Sequence, residues 1–142
     1  EKRFDGVTFY RAVHQRREPM PNGLLQGGTR NDPKRVRAKI AHEPTNVTGL
    51  THTHGAVSMA RNEPGTADGD FFIAIEDQTG FDAEPSSPNP EWRAGFAVFA
   101  YVTEGMDVVA AIHAAARDPD AGEGVMKGEM LAEPVRIISA RR

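Results

Sequence analysis

The reactive side chains of this chain are five histidines, 20 carboxylates and no cysteine. His52 and His54 stand two residues apart, which on a strand would turn both rings to one face as a metal pair. Two ligands do not make a site, and neither a His-Glu-x-x-His motif nor a third partner accompanies them. They read as ordinary loop or surface histidines, with a metal-dependent hydrolase kept only as an alternative that stoichiometric metal analysis would test. His113 falls on the apolar face of a helical pattern and reads as a core residue. A Ser-His-Asp triad is available by inventory, but no nucleophile elbow occurs. Gly27-Gly28 is followed by Thr29 and is not a phosphate loop. Asp68 and Asp70 share strand parity, yet Gly69 between them points to a turn rather than a paired-carboxylate hydrolase. Lys34 to Ile40 alternates basic with small or apolar residues; it predicts a strand with one solvated basic face, a phosphate-binding patch being the minority alternative.

These residues need elements to hold them. The 142 residues, 15.5 kDa, make one domain. Without cysteine there is neither a disulfide scaffold nor a thiolate metal site. A net charge of -3 argues against a surface built for nucleic acid, and no apolar run approaches the ~18 residues of a membrane-spanning helix. Fourteen Gly and ten Pro indicate short elements joined by many turns. Strands are predicted at Val7–Val13, Leu24–Gly28, Gly55–Arg61, Phe71–Ile75 (the most apolar run, hence central), Phe96–Val102 and Pro134–Ala140. His14–Gly23, Asn62–Gly69 and the proline-containing Gln78–Gly95 read as loops. Gly105–Ala116 is the one convincing helix: Met106, Val109, Ala110 and His113 share a face, widened by Val108, Ile112 and Ala115. The sum is a mainly β, antiparallel domain, expected to close as a barrel with a covering helix.

Three segments carry a resemblance. Phe9-Tyr10-Arg11 with Gln26-Gly27-Gly28 downstream resembles a Phe-His-Arg followed by Gln-Gly-Gly. Ser58-Met59-Ala60-Arg61, then Phe71-Phe72-Ile73, resembles a Ser-Met-Ala and Gln-Phe-Phe-Ile block. Phe96-Ala97-Val98-Phe99 with Gly105-Met106-Asp107-Val108-Val109 resembles a Val-Phe-Gly-x-Val-x-x-Gly-Met strand and helix. In this order and at these intervals they are similar to the cyclophilin-type peptidyl-prolyl isomerases, over nearly the whole chain. The resemblance implies catalysed rotation about X-Pro bonds during protein folding. No bond is broken and no cofactor or metal is needed. Its partners would be proline-containing segments of client proteins and, by the same resemblance, cyclosporin-like ligands, with no nucleic acid or membrane partner.

By resemblance, Arg11 donates a hydrogen bond to the prolyl nitrogen, and Gln26 binds the substrate backbone and orients Arg11. Phe72 floors the proline socket, with Leu24, Phe81 and Phe96 around it. Ala60 and Arg61 flank the peptide groove, Arg61 mainly through its backbone, and Thr66–Gly69 line the next subsite. Phe71, pointing the other way, is a core residue. Departures from the family pattern are Asp70 in place of Gln, which adds negative charge near Arg11, Thr29 in place of Asp, and extra residues between Arg11 and Gln26. Trp92 follows a proline-rich insertion and has no assured counterpart. The family has two strands and a helix, roughly 40 residues, before the region matching Phe4. Residues 1–142 are therefore expected to be an N-terminally incomplete cyclophilin-like domain, in preference to one completed by another chain. A leader would sit in that same stretch, so a bacterial periplasmic location is favoured over a cytoplasmic one. The rival to the enzyme is a proline-peptide-binding module of the same fold with little turnover.

Overall fold

The computed structural model describes residues 2–15, 23–30 and 32–141. Six strands form one antiparallel sheet: β1 (Thr8–Val13), β2 (Leu24–Gly28), β3 (Ala56–Met59), β4 (Asp70–Ala74), β5 (Ala97–Tyr101) and β6 (Met130–Arg136). Their order is β5-β3-β4-β2-β1-β6, so the apolar run Phe71–Ile75 supplies a central strand as expected. Among the described residues three α-helices accompany the sheet: α1 (Thr45–Thr48), α2 (Pro90–Ala94) and α3 (Met106–His113).

Alternation divides the sheet into two faces. On one, Ala12, Leu25 and Ile73 pack with Ile75, Leu131 and Val109 of α3, joined by Phe9, Phe71 and Met106. This is the main core, and α3 covers it. His113 is wholly buried there, its Nε2–H donating to the Val13 carbonyl, 2.8 Å away. Val108, expected on the apolar stripe, is instead 57% exposed, because the helix turns only one narrow face to the sheet. On the other face, Ala56, Ala74 and Val98 make a smaller cluster with Leu50. The functional residues line up beside it.

Three expectations need correction. Lys34–Ile40 is not a strand: Arg35 turns its guanidinium onto the carbonyls of Arg3 and Asp5, the Arg35 and Val36 N–H groups turn back to the Asp32 carbonyl, and Arg37 and Ile40 bond across to the Asp68 and Ala67 carbonyls without forming a ladder. The last strand begins at Met130, four residues ahead of Pro134, and ends at Arg136. Pro134 is tolerated because β6 is an edge strand and needs no ladder donor there. The connection Gln78–Gly95 holds helix α2, started by Asn89, whose side chain accepts from Glu91 N, with Pro90 at the first position. The loop read at His14–Gly23 lies mostly outside the described residues.

Candidate active site

Arg11 owes its place to a bulge. β1 pairs Phe9 with Gly27 and then Arg11 with Gln26, and the ladder to β6 shifts at the same step. Tyr10 is the extra residue. Such a bulge re-aims side chains, and here Tyr10 and Arg11, adjacent in sequence, both face one cleft. From Arg11 the register runs straight across the sheet: Arg11 opposite Gln26, Gln26 opposite Phe72, Phe72 opposite Ser58. Directly opposed residues share a face and touch, so four strands contribute one row to one surface.

The row begins with the arginine. Its Nη1 donates to Gln26 Oε1 at 2.9 Å, Nε donates to Glu129 Oε2 at 2.8 Å, and Nη2 lies 2.6 Å from the same oxygen. Glu129 immediately precedes β6 and was not singled out from the sequence. Next along the row stand the aromatic rings. Phe72, Phe81 and Phe96 meet edge to face with centroids 5.4 to 5.7 Å apart, a favourable packing for three rings around an apolar hollow. Phe71 points to the other face, against Phe4 and Phe9.

Behind the rings is a buried polar chain. His52 stacks on Phe72 at 5.9 Å and meets Phe81 edge-on. Its Nδ1 lies 2.6 Å from Asp82 Oδ1, its Nε2 lies 2.9 Å from Ser58 Oγ, and Thr51 Oγ1 also donates to Asp82. The connectivity Asp82–His52–Ser58 is that of a hydrolytic triad. Yet His52 and Ser58 have no exposed surface, so no substrate carbonyl can reach the hydroxyl. Burial holds the His52 imidazole below its ordinary range, against the opposing pull of Asp82. Burial would raise the Asp82 carboxyl, but bonds from Thr51 and from the side chain and backbone of His52 outweigh it and hold it low. A neutral imidazole between a carboxylate and a hydroxyl is a strut for the socket. The His52 ring is thus spent on structure, and His54 Nδ1 is bonded to the Ile75 carbonyl.

Arg61 does more than its backbone. Its side chain, 2% exposed, bonds the Gly95 carbonyl through Nε and Nη2, the Asn62 carbonyl and Glu91 through Nη1, and lies 4.5 Å over the Phe96 ring. It ties α2 to the socket's outer wall. Asp70, expected near Arg11, is bonded elsewhere. It accepts from Arg30 N at 2.9 Å, from Thr29 N and from the Tyr10 hydroxyl. Burial pushes its carboxyl up despite these bonds, and burial with the Asp70 charge pushes the Tyr10 phenol up too. Arg30 lies 5.0 Å over the Tyr10 ring. The charge that pairs with Arg11 is Glu129.

Arg11, Leu24, Gln26, Ala60, Arg61, Asp70, Phe72, Phe81 and Phe96, named from the sequence, line one cleft of about 430 Å³, joined by Thr66 and Asp68 but not Ala67 or Gly69 of the 66–69 loop. That volume suits a short peptide segment. Trp92, 46% exposed on α2, is not among the cleft residues. Met126 and Met130 form a further wall that the sequence reading missed, because the last strand was expected to start only at Pro134.

The sequence model of the family described as "Cyclophilin type peptidyl-prolyl cis-trans isomerase/CLD" matches residues 1–142. The chain belongs to the cyclophilin-type peptidyl-prolyl cis-trans isomerase family. It is 34% identical over 142 residues to a peptidyl-prolyl cis-trans isomerase of Acinetobacter baylyi, covering 97% of this chain and 65% of that protein. It is 33% identical to peptidyl-prolyl cis-trans isomerase cyp18 of Streptomyces antibioticus, over 97% of this chain and 76% of the relative. A third relative, peptidyl-prolyl cis-trans isomerase B of Escherichia coli, is 32% identical over 94% of this chain and 77% of its own length. The chain therefore spans about two thirds to three quarters of these relatives. Family membership gives the cleft a meaning for cyclophilin chemistry: a cationic donor row beside an aromatic hollow.

Proposed function

We propose that this chain accelerates cis–trans rotation about X-Pro bonds in peptide segments held in the cleft. The observation that carries it is Arg11, oriented by Gln26 and standing two strands from the Phe72–Phe81–Phe96 hollow in one unbroken row. The prolyl amide resists rotation by ~18–20 kcal/mol because its C–N bond has double-bond character. Twisting removes that conjugation and returns the lone pair to nitrogen. A guanidinium N–H aimed at the nitrogen then binds the twisted state better than the planar one, which is what lowers a barrier. The hollow takes the pyrrolidine ring and excludes water, so the donor acts in a low dielectric. Leu24, Ala60 and Arg61 bound the groove for the flanking backbone, and Asp70 shapes its far side.

Clients would be exposed proline-containing segments of folding proteins, and cyclic peptides of the cyclosporin kind would compete for the same groove. The six strands are read as the larger part of a closed barrel, completed by strands bridging β5 and β6. Exchange between proline isomers of a test peptide, followed by NMR, checks the activity. Arg11→Ala should reduce it about 10²–10³-fold. Equal rates for the two proteins would sink the assignment. The alternative is a binding module with little turnover, favoured by the engagement of Arg11 with Glu129. It predicts that peptide shifts appear on titration while the isomer signals stay out of exchange.

A further inference from the structure

We infer that Glu129 is the positioning residue that aims Arg11 into the cleft. The inference rests on the reading of Arg11 as the donor to the prolyl nitrogen. A guanidinium carries five N–H donors in a rigid plane. Glu129 Oε2 accepts the Nε hydrogen and lies 2.6 Å from Nη2 as an ion pair, and Gln26 Oε1 accepts one on Nη1. Two hydrogen bonds and one ion pair thus hold the guanidinium among the described residues, and N–H groups on the Nη atoms are left for a ligand. The plane is fixed at both edges, from β2 on one side and from the start of β6 on the other.

Glu129 is itself fixed. Its carbonyl accepts from Ala12 N at 2.9 Å, and its own N–H donates to the Met126 carbonyl at 3.0 Å. Carboxylate and backbone therefore grip β1 at consecutive residues, Arg11 and Ala12. The side chains of Arg11 and Glu129 are only 17% and 24% exposed, so water competes poorly for the pair. Without Glu129 the flexible arginine would keep one anchor, Gln26, and the carboxylates across the cleft, Asp68 and Asp70, would compete for it. Glu129 does not reach the reacting bond; it acts through Arg11.

Three measurements on the intact chain test this, using Glu129→Ala and Glu129→Gln. The first is kcat/KM for isomerisation of a proline peptide. Glu129→Ala should lose about ten- to a hundredfold, the scale expected of a misplaced catalytic group. Glu129→Gln, which keeps an acceptor for Nε–H, should stay within about threefold of wild type. The second is peptide Kd, which Glu129→Ala should change by less than about threefold, because the hollow is untouched. A Glu129→Ala protein as active as wild type, or loss of binding in step with activity in both variants, overturns the inference. The third is the Arg11 Nε–H resonance, which is independent of turnover. It should be sharp and protected from exchange in wild type and Glu129→Gln, and lost to exchange in Glu129→Ala. Persistence of the protected signal in Glu129→Ala overturns the inference even if wild type proves inactive, an outcome that would itself refute only the isomerase reading.

Discussion

Arg11 and Arg61 divide the work of one cleft. Arg11 keeps N–H groups on its Nη atoms without a hydrogen-bond partner among the described residues, whereas Arg61 spends its fork on the Gly95 and Asn62 carbonyls, on Glu91 and on the Phe96 ring. Arg61→Ala should therefore act on the hollow and not on the donor. Loss of the cation–π contact and of a buried clamp, together ~1–3 kcal/mol, should free Phe96. Peptide Kd should rise about fivefold or more, with kcat within about twofold of wild type. NMR titration with a proline peptide reads the first and isomer exchange the second. A fall in kcat at unchanged Kd would contradict this division. Arg61 was legible as a groove residue, but its side-chain role was not. Its partners lie 30 and 34 residues on, across a connection that sequence marks only as a loop.

Among the elements, β1 and β2 were the most readable and hold the most demanding local geometry. Gly27 and Gly28 end the predicted strand, and both sit within β2. At Gly28 φ is +136°, a conformation L side chains rarely adopt, and an added Cβ would collide with the Asp70 carboxylate and backbone. Gly28 lets β2 approach β4 at the cleft's edge, and Gly27 lets it approach Thr8 and Phe9 of β1. Gly28→Ala should destabilise by ~2–4 kcal/mol, combining backbone strain with overpacking. Urea unfolding measures it, and a change under 0.5 kcal/mol would refute the account. The element starts that failed were those set by tertiary contact. β6 begins at Met130 because β1 offers it a partner there, while Pro134 had suggested a later start. Lys34–Ile40 alternates like a strand but finds no ladder.

Across the whole molecule, buried imidazoles set the pH response. His52 is held low by burial beneath the socket, with Asp82 opposing, and His113 is held low by burial at the end of α3, with His14 and Arg117 adding to the effect and Val13 opposing it. The His14 ring stacks on His113 at 4.0 Å. An unfolded histidine titrates near 6.5. A folded pKa below that value means the unfolded state takes up protons first. Stability is thus complete above about pH 6.5 and falls as pH drops toward the folded values, by up to ~1.4 kcal/mol per pH unit for each histidine. His113→Gln should flatten this limb, whatever its effect at pH 8. Asp5 adds a separate acid limb: bonds from the Arg141 side chain and Ala140 N lower its carboxyl to about 2. Its contribution is present above the unfolded value of 3.8 and lost as pH falls through about 2. Asp5→Asn should remove that lower limb and leave the histidine limb intact. Melting temperatures from about pH 2 to 8 for the three proteins check both signs; a flat wild-type profile between about pH 5 and 7 would refute the histidine part.

Composition, turn residues and alternation were enough to read a mainly β domain, a central Phe71–Ile75 strand, the α3 helix and, with the family pattern, nine residues of one cleft. Those features depend on period and local chemistry, which a chain carries residue by residue. What closes the site depends on register. The Tyr10 bulge, the row Arg11–Gln26–Phe72–Ser58, the pairing of Arg11 with Glu129 across 118 positions and the strut from Asp82 through His52 arise only when separate strands lie side by side. A side chain's hydrogen-bond partner is a matter of distance in space, and spacing along the chain does not record it. Asp70 shows the point: the sequence put its charge beside Arg11, and the fold gave it to Tyr10 and the backbone of Thr29 and Arg30.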